Sequence, residues 1–309
     1  GNRHEFEKPM RIISKYDVPE DAWFFQQNSH PEWMPYSVLM EIALQPCGFI
    51  SANSGAMLIY PELDLHYRNL DGNGTLSKHI DLRGKTIQAE VELYSTVASG
   101  NTVIQKHRFL LKCEGLPFYK GDTVFGYFTD EALENQTGLD GGKAKLPWLD
   151  ENTNHDMKVY RLNDSNSRLG SGKPHLKLAG NQLNLLDEVH LSPSVGSHGK
   201  GYAYWKRIVD PKDWFFPCHF HQDPVMPGSL GVEAILQALQ VFCLDQKLGD
   251  SFSNPRFRPS LSQTSWKYRG QIIPTTGMMQ LELHVSKIEK QDEQLMLVCL
   301  LYTSDAADE

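Results

Sequence analysis

The chain has 309 residues, 40% of them hydrophobic, with a formal net charge of −8 and a pI near 5.8. That length supports one large core or two smaller ones, and the acidic balance, with no run of five or more Lys/Arg, excludes a nucleic-acid surface. Five cysteines, Cys47, Cys113, Cys218, Cys243 and Cys299, are scattered without paired spacing and read as free thiols of a reducing compartment. No secretory segment or membrane span is evident, so the expectation is a cytoplasmic protein without membrane insertion. The chain starts at Gly1 and reads as a piece of something longer.

In chain order, Trp23-Phe24-Phe25 leads through Met34-Pro35-Tyr36 into an apolar stretch in which Ser37, Glu41 and Gln45 recur at steps of four. That spacing predicts a buried helix with one hydrophilic line. Ile87, Ala89, Val91 and Leu93 alternate with polar residues and predict a strand, Ser99-Gly100-Asn101 a turn, and Phe109–Cys113 a second strand. Residues 137–177 are rich in Gly, Asn, Asp, Ser and Lys and read as a crossing linker, with Trp148 and Tyr160 offering some area to bury.

The stretch Trp214–Gln237, WFFPCHFHQDPVMPGSLGVEAILQ, combines a histidine, a helix start and an acid. Ser229, Glu233, Gln237 and Gln240 fall on one helical face, and Leu230, Val232, Ala234, Ile235, Leu236, Leu239, Val241 and Phe242 surround them. Pro227 suits the first turn, and Gly228 lets a ligand approach N–H groups that, with the helix dipole, favour the partial negative charge of a polarised carbonyl. Met279, Leu281, Leu283 and Val285 then predict a strand, followed by the run Leu295–Cys299. The tail Cys299–Glu309, CLLYTSDAADE, reads as a translated sequencing adapter and not as native chain.

Two stretches repeat. Trp23-Phe24-Phe25 corresponds to Trp214-Phe215-Phe216, and Met34–Gln45 to Met226–Gln237, with one deletion between. The first half lacks a counterpart to Leu183–Gly201 and the second to Gly115–Phe128. The expected domains are therefore a degenerate first unit over 1–136, the linker 137–177, and a second unit over 178–309, each an α+β arrangement of a long helix and an antiparallel meander.

Cys218-His219-Phe220, Asp223-Pro224-Val225-Met226-Pro227-Gly228 and Leu230-Gly231 before Glu233 resemble the FabA-type 3-hydroxyacyl-[acyl-carrier-protein] dehydratases. Leu183–Val189, Gly199–Tyr202 and Tyr268–Pro274 extend the resemblance over about the second half of the chain. The family usually has Asp where this chain has Glu233. The resemblance implies a double hotdog, similar to the tandem dehydratase region of bacterial polyunsaturated fatty acid synthases. It also implies a substrate on the phosphopantetheine arm of acyl carrier protein, other synthase domains as partners, and no further cofactor.

Dehydration of a 3-hydroxyacyl thioester needs a base for the α-proton, an acid for the leaving hydroxyl and a donor for the carbonyl. Neutral His219 fits the base, a glutamate with a raised pKa the acid, and the Gly228 N–H the donor; in the resembled family the carbonyl matching Val225 orients the imidazole. In dimeric relatives the histidine of one hotdog meets the acid of the other, which selects Glu41 over Glu233. The reciprocal base position falls near Gln27 or Asn28, and His30 is displaced from it. Cys218, His219, His221 and Asp223 also permit a metal site, but a metal leaves the proline frame and the repeat unexplained, and none is expected. His221 is expected at the rim and Cys218 in the core. The two aromatic triplets suit core or an acyl tunnel, and Lys206, Arg207, Lys212, Lys267 and Arg269 are candidate carrier-docking positives. A hotdog thioesterase and a catalytically dead carrier-binding module are the alternatives. Acyl length and isomerisation of the double bond stay open.

Overall fold

Two long helices, each with an antiparallel sheet laid against it, dominate the computed structural model, which describes residues 6, 8–136, 146–152, 155–162, 169, 176–259, 261–291 and 294–302. The chain runs β1 (Met10–Asp17), α1 (Trp23–Gln27), α2 (Tyr36–Ser54), β2 (His66–Leu76), β3 (Thr86–Ser99), β4 (Thr102–Cys113), β5 (Leu116–Phe128) and α3 (Asp130–Glu134). It continues through α4 (Trp148–Glu151), β6 (Lys158–Arg161), β7 (Glu188–Ser192), β8 (Tyr202–Ile208), α5 (Phe216–His219) and α6 (Gly228–Asp245) to β9 (Gln263–Lys267), β10 (Met278–Gln291) and β11 (Gln294–Tyr302). The α+β hotdog arrangement is present twice.

The units interleave and do not follow a linear division at 136 and 178. Residues 1–26, 32–139 and 259–270 form unit 1, and 27–31, 140–258 and 271–309 form unit 2. The crossing has a cause in unit 1, where β9 pairs antiparallel with β2 and so completes a sheet in the order β1-β3-β4-β5-β2-β9.

In that sheet Ile87, Ala89, Val91 and Leu93 of β3 are buried, as their period of two requires, with Val103, Phe109, Leu111 and Cys113 of β4 alongside. α2 packs on β1, β3 and β4 and buries Leu39, Met40, Ala43, Cys47 and Ile50. Tyr36–Ile59 is long and apolar enough to cross a membrane, with mean hydropathy 1.3. Its packing against three strands accounts for that apolarity as core. The hydrophilic line expected through Ser37, Glu41 and Gln45 leaves the interior along its length: Ser37 is buried, Glu41 half-buried and Gln45 exposed.

Gly100 (φ 55°) and Asn101 (φ 64°) make the tight turn between β3 and β4. β2 was not legible as a strand, because HYRNLDGNGTL carries Gly, Asn and Asp where alternation is expected. Its glycines lie under rings. A Cβ on Gly72 would fall 2.2 Å from the Trp266 ring, and one on Gly74 2.2 Å from the Tyr119 hydroxyl.

Unit 2 has the sheet order β11-β10-β8-β7-β6. Met279, Leu281, Leu283 and Val285 of β10 join Trp205, Val189 and Leu191 against Leu230, Ala234, Ala238, Val241 and Phe242 of α6. Parts of the expected linker belong to this unit as structure. β6 pairs with β7, Tyr160 donates to Asp245, and α4 sits over the opposite face of the sheet, where the Trp148 N–H meets Glu282 at 2.6 Å and its ring packs on Tyr202. Residues 137–145, 153–154, 163–168 and 170–175 of the linker and 303–309 of the tail lie outside the described residues. Cys299–Tyr302 pair with β10.

His107, on the inner face of β4, is fully buried with Nε2 3.0 Å from the Ser51 hydroxyl, and burial pushes its pKa from 6.5 down to about 3. The folded chain holds the ring neutral where the unfolded chain takes up a proton. Its contribution to stability is complete above the unfolded pKa and is lost as pH falls towards the folded one, by up to about 1.4 kcal/mol per pH unit. Denaturant unfolding at pH 7 and pH 5 should show the parent chain losing roughly 1–2 kcal/mol more than His107→Gln. Equal losses would clear His107 of this role.

Candidate active site

α5 is a single turn with Pro217 in its first positions, and its Cys218 and His219 N–H groups both reach the Phe215 carbonyl, at 3.2 and 3.1 Å. The chain then reverses through Gln222 (φ 57°) and brings the Val225 carbonyl 2.9 Å from His219 Nδ1. A carbonyl only accepts, so Nδ1 carries a proton, and in the neutral tautomer the lone pair lies on Nε2. The imidazole is half-buried and stacked on Phe220, with centroids 4.1 Å apart. Val225 is itself buried, and the next residue is fastened by a bond from the Met226 N–H to the Ile272 carbonyl at 2.8 Å.

Pro227 caps α6 and Gly228 is its first residue, where backbone N–H groups lack intrahelical acceptors. Ser229, Glu233 and Gln237 are buried in line along α6, as their spacing predicts. Gln237 has a structural task that the sequence did not reveal: its amide donates to the Leu183 carbonyl at 2.6 Å and accepts from the Leu185 N–H at 3.1 Å, fastening the segment before β7. Gln240 reaches the Ser29 hydroxyl at 3.4 Å, tying the segment 27–31 to the same helix.

Within unit 2, the positions that correspond by repeat to the histidine are occupied by loop-building side chains. Gln27 Oε1 accepts from the Gln182 N–H at 2.9 Å, Asn28 Oδ1 accepts from the Ser29 N–H at 2.8 Å, and Asn28 Nδ2 donates to the His30 carbonyl. His30 is buried. In unit 1, Tyr36 stands where the repeat has Gly228, and its hydroxyl lies 3.1 Å from that of Tyr119; Glu41 follows on α2.

Cys218 is exposed, contrary to the expectation of a core thiol, because it projects from the outer side of a one-turn helix; His221 is exposed as well. Among the described residues no group of three or more His, Cys, Asp and Glu side chains is arranged to hold a metal ion. Phe215 and Phe216 are core, while Trp214 donates to the Gln182 carbonyl at 3.1 Å. Of the five basic residues singled out, Arg207 pairs with Asp213 and Arg269 with Asp71, whereas Lys206, Lys212 and Lys267 are exposed.

Residues 178–306 match the family described as the FabA-like domain. Over 292 residues, 91% of the chain, it is 36% identical to a polyunsaturated fatty acid synthase polypeptide of Thraustochytrium sp., of which it spans 20%. Among solved structures it is similar to the 12:0-ACP thioesterase from Umbellularia californica (11% identity, 96% of this chain and 88% of that one, TM-score 0.48). A MaoC-like dehydratase aligns at 11% identity over 97% and 98% of the two chains, with a TM-score of 0.44.

Gln237→Leu keeps the volume of the core around α6 and strands one buried carbonyl and one buried N–H. A loss of about 2–4 kcal/mol in unfolding free energy is expected. Thermal and denaturant unfolding read it, and a change below about 1 kcal/mol would mean that the clamp is dispensable.

Proposed function

We propose that the chain is a dehydratase that removes water from 3-hydroxyacyl chains carried on the phosphopantetheine arm of an acyl carrier protein, giving trans-2-enoyl thioesters within a multidomain fatty acid or polyunsaturated fatty acid synthase. The observation that carries this reading is the His219 imidazole with Nδ1 committed to the Val225 carbonyl, in a FabA-like domain. In the neutral ring that bond puts the lone pair on Nε2.

Nε2 takes the α-proton, and the electron pair moves towards the thioester oxygen, which the Gly228 N–H stabilises as it gains charge. The pair returns to form the double bond as the C–O bond at the β-carbon breaks. A glutamic acid gives its proton to the leaving hydroxyl, and water departs. The imidazolium then passes its proton back to the carboxylate, restoring both groups.

The acid is taken as Glu41, by analogy with the resembled dimeric dehydratases, in which the histidine of one hotdog works with the acid of the other. On this assignment Glu233 belongs to a reciprocal pair whose histidine is missing, and the use of the Gln27 and Asn28 side chains in loop bonds supports a vestigial role for it. Lys206, Lys212 and Lys267 supply exposed positive charge for an acidic carrier.

Incubation with carrier-bound 3-hydroxyacyl chains of several lengths, followed by mass spectrometry, should reveal the dehydrated thioester still on the carrier. Release of a free acid would instead mark a thioesterase. His219→Ala should cost on the order of 10²–10⁴ in rate with the fold intact, and unchanged turnover would remove His219 from the mechanism. Glu41→Gln should lose most activity while Glu233→Gln keeps most of it; the reverse ranking would reassign the acid to Glu233.

A further inference from the structure

Residues 259–270 come from the second half of the sequence but pack in unit 1. The ladder between β9 and β2 holds them there. Beyond it the Tyr268 N–H donates to the Leu70 carbonyl at 2.7 Å, and the Arg269 guanidinium grips the Asp71 carboxylate with two bonds of 2.9 and 3.0 Å. Tyr268 is thus fixed on both sides. Its phenol oxygen is fully buried, yet it has no hydrogen-bond partner among the described residues.

The polar neighbours of that oxygen are Glu41 and Tyr36 of α2 and Tyr119 of β5, each close enough to interact with it electrostatically. Tyr36 and Tyr119 bond to each other. A buried hydroxyl without a partner destabilises a fold, and phenylalanine would fill the same space without that cost. Burial pushes the phenol well above its ordinary value, so it remains an O–H donor at any working pH.

We propose that the Tyr268 hydroxyl is a specificity-determining donor for the 3-hydroxyl of the bound acyl chain, beside the Glu41 carboxyl. The inference rests on the reading of Glu41 as the acid. A leaving hydroxyl has two lone pairs: one takes the proton from Glu41, and the other accepts from Tyr268 as charge develops on the oxygen. A saturated chain offers no such acceptor, so the phenol distinguishes the two.

Tyr268→Phe removes the oxygen and leaves the ring. Affinity is measured by calorimetry in the full chain carrying His219→Ala, which suppresses turnover, with 3-hydroxyacyl and saturated acyl chains of one length on the same carrier protein. Affinity for the hydroxyacyl chain should fall roughly five- to tenfold and that for the saturated chain should not change. The melting temperature without ligand should stay level or rise, whereas a group with a structural partner would lower it. Equal losses for both chains, no loss for either, or a lowered melting temperature would overturn the proposal. Turnover by the chain with His219 intact is scored separately: its absence, with the binding difference preserved, would refute the dehydratase reading and leave the Tyr268 donor standing.

Discussion

A helix enclosed by its own sheet has no water to satisfy its polar side chains, and the rest of this structure answers to that constraint. α6 is buried on nearly every side, so each polar residue on it must find a partner in protein or in ligand. Gln237 closes on the backbone at Leu183 and Leu185 and fixes the approach to β7. Gln240 reaches Ser29 and draws a segment of the first half into unit 2. The helix start, where N–H groups have no intrahelical acceptor, faces the loop that carries His219 and is closed by the Val225 carbonyl. Architecture and candidate site share one requirement.

The two copies of the repeat meet that requirement differently. Ser229, Glu233 and Gln237 in unit 2 and Ser37, Glu41 and Gln45 in unit 1 share the same steps of four, yet the first line stays buried while the second runs out to solvent. Tyr36 in place of Gly228 fills the start of α2 with a ring and trades open backbone for a tyrosine pair with Tyr119. Gln27 and Asn28, in unit 2, stand where the repeat has the histidine, and Tyr36, in unit 1, stands where it has Gly228.

Much of this was legible in the sequence because it depends on periodicity or on special backbone. The inner faces of β3 and β10 follow from alternation, the Gly100–Asn101 turn from its positive φ angles, and the paired central helices from the repeat. The histidine and Gly228 stood out through their string of prolines and glycine, while Val225 was singled out by the family resemblance. What escaped depended on distant partners. β2 and β9 lack alternation because their glycines and aromatics are set by rings crossing between strands. α4 and β6 sit in a polar stretch and are ordered by Glu282, Asp245 and an available sheet edge. Cys218 was misplaced because exposure on a one-turn helix has no sequence signature. The unsatisfied oxygen of Tyr268 is invisible until β9 is known to belong to the first sheet.

The pairing of β9 with β2 also has a consequence in time. β9 is made about 140 residues after β5 leaves the ribosome, which at ordinary elongation rates is roughly 7–30 s. Through that interval the outer edge of β2 is an unpaired row of amides and carbonyls in a nascent chain. Its sequence, rich in Asn, Asp and Gly, is a poor template for a foreign strand. The composition that hid β2 from the sequence reading therefore serves during synthesis as protection, keeping the edge unattractive to neighbours until its own distant partner emerges.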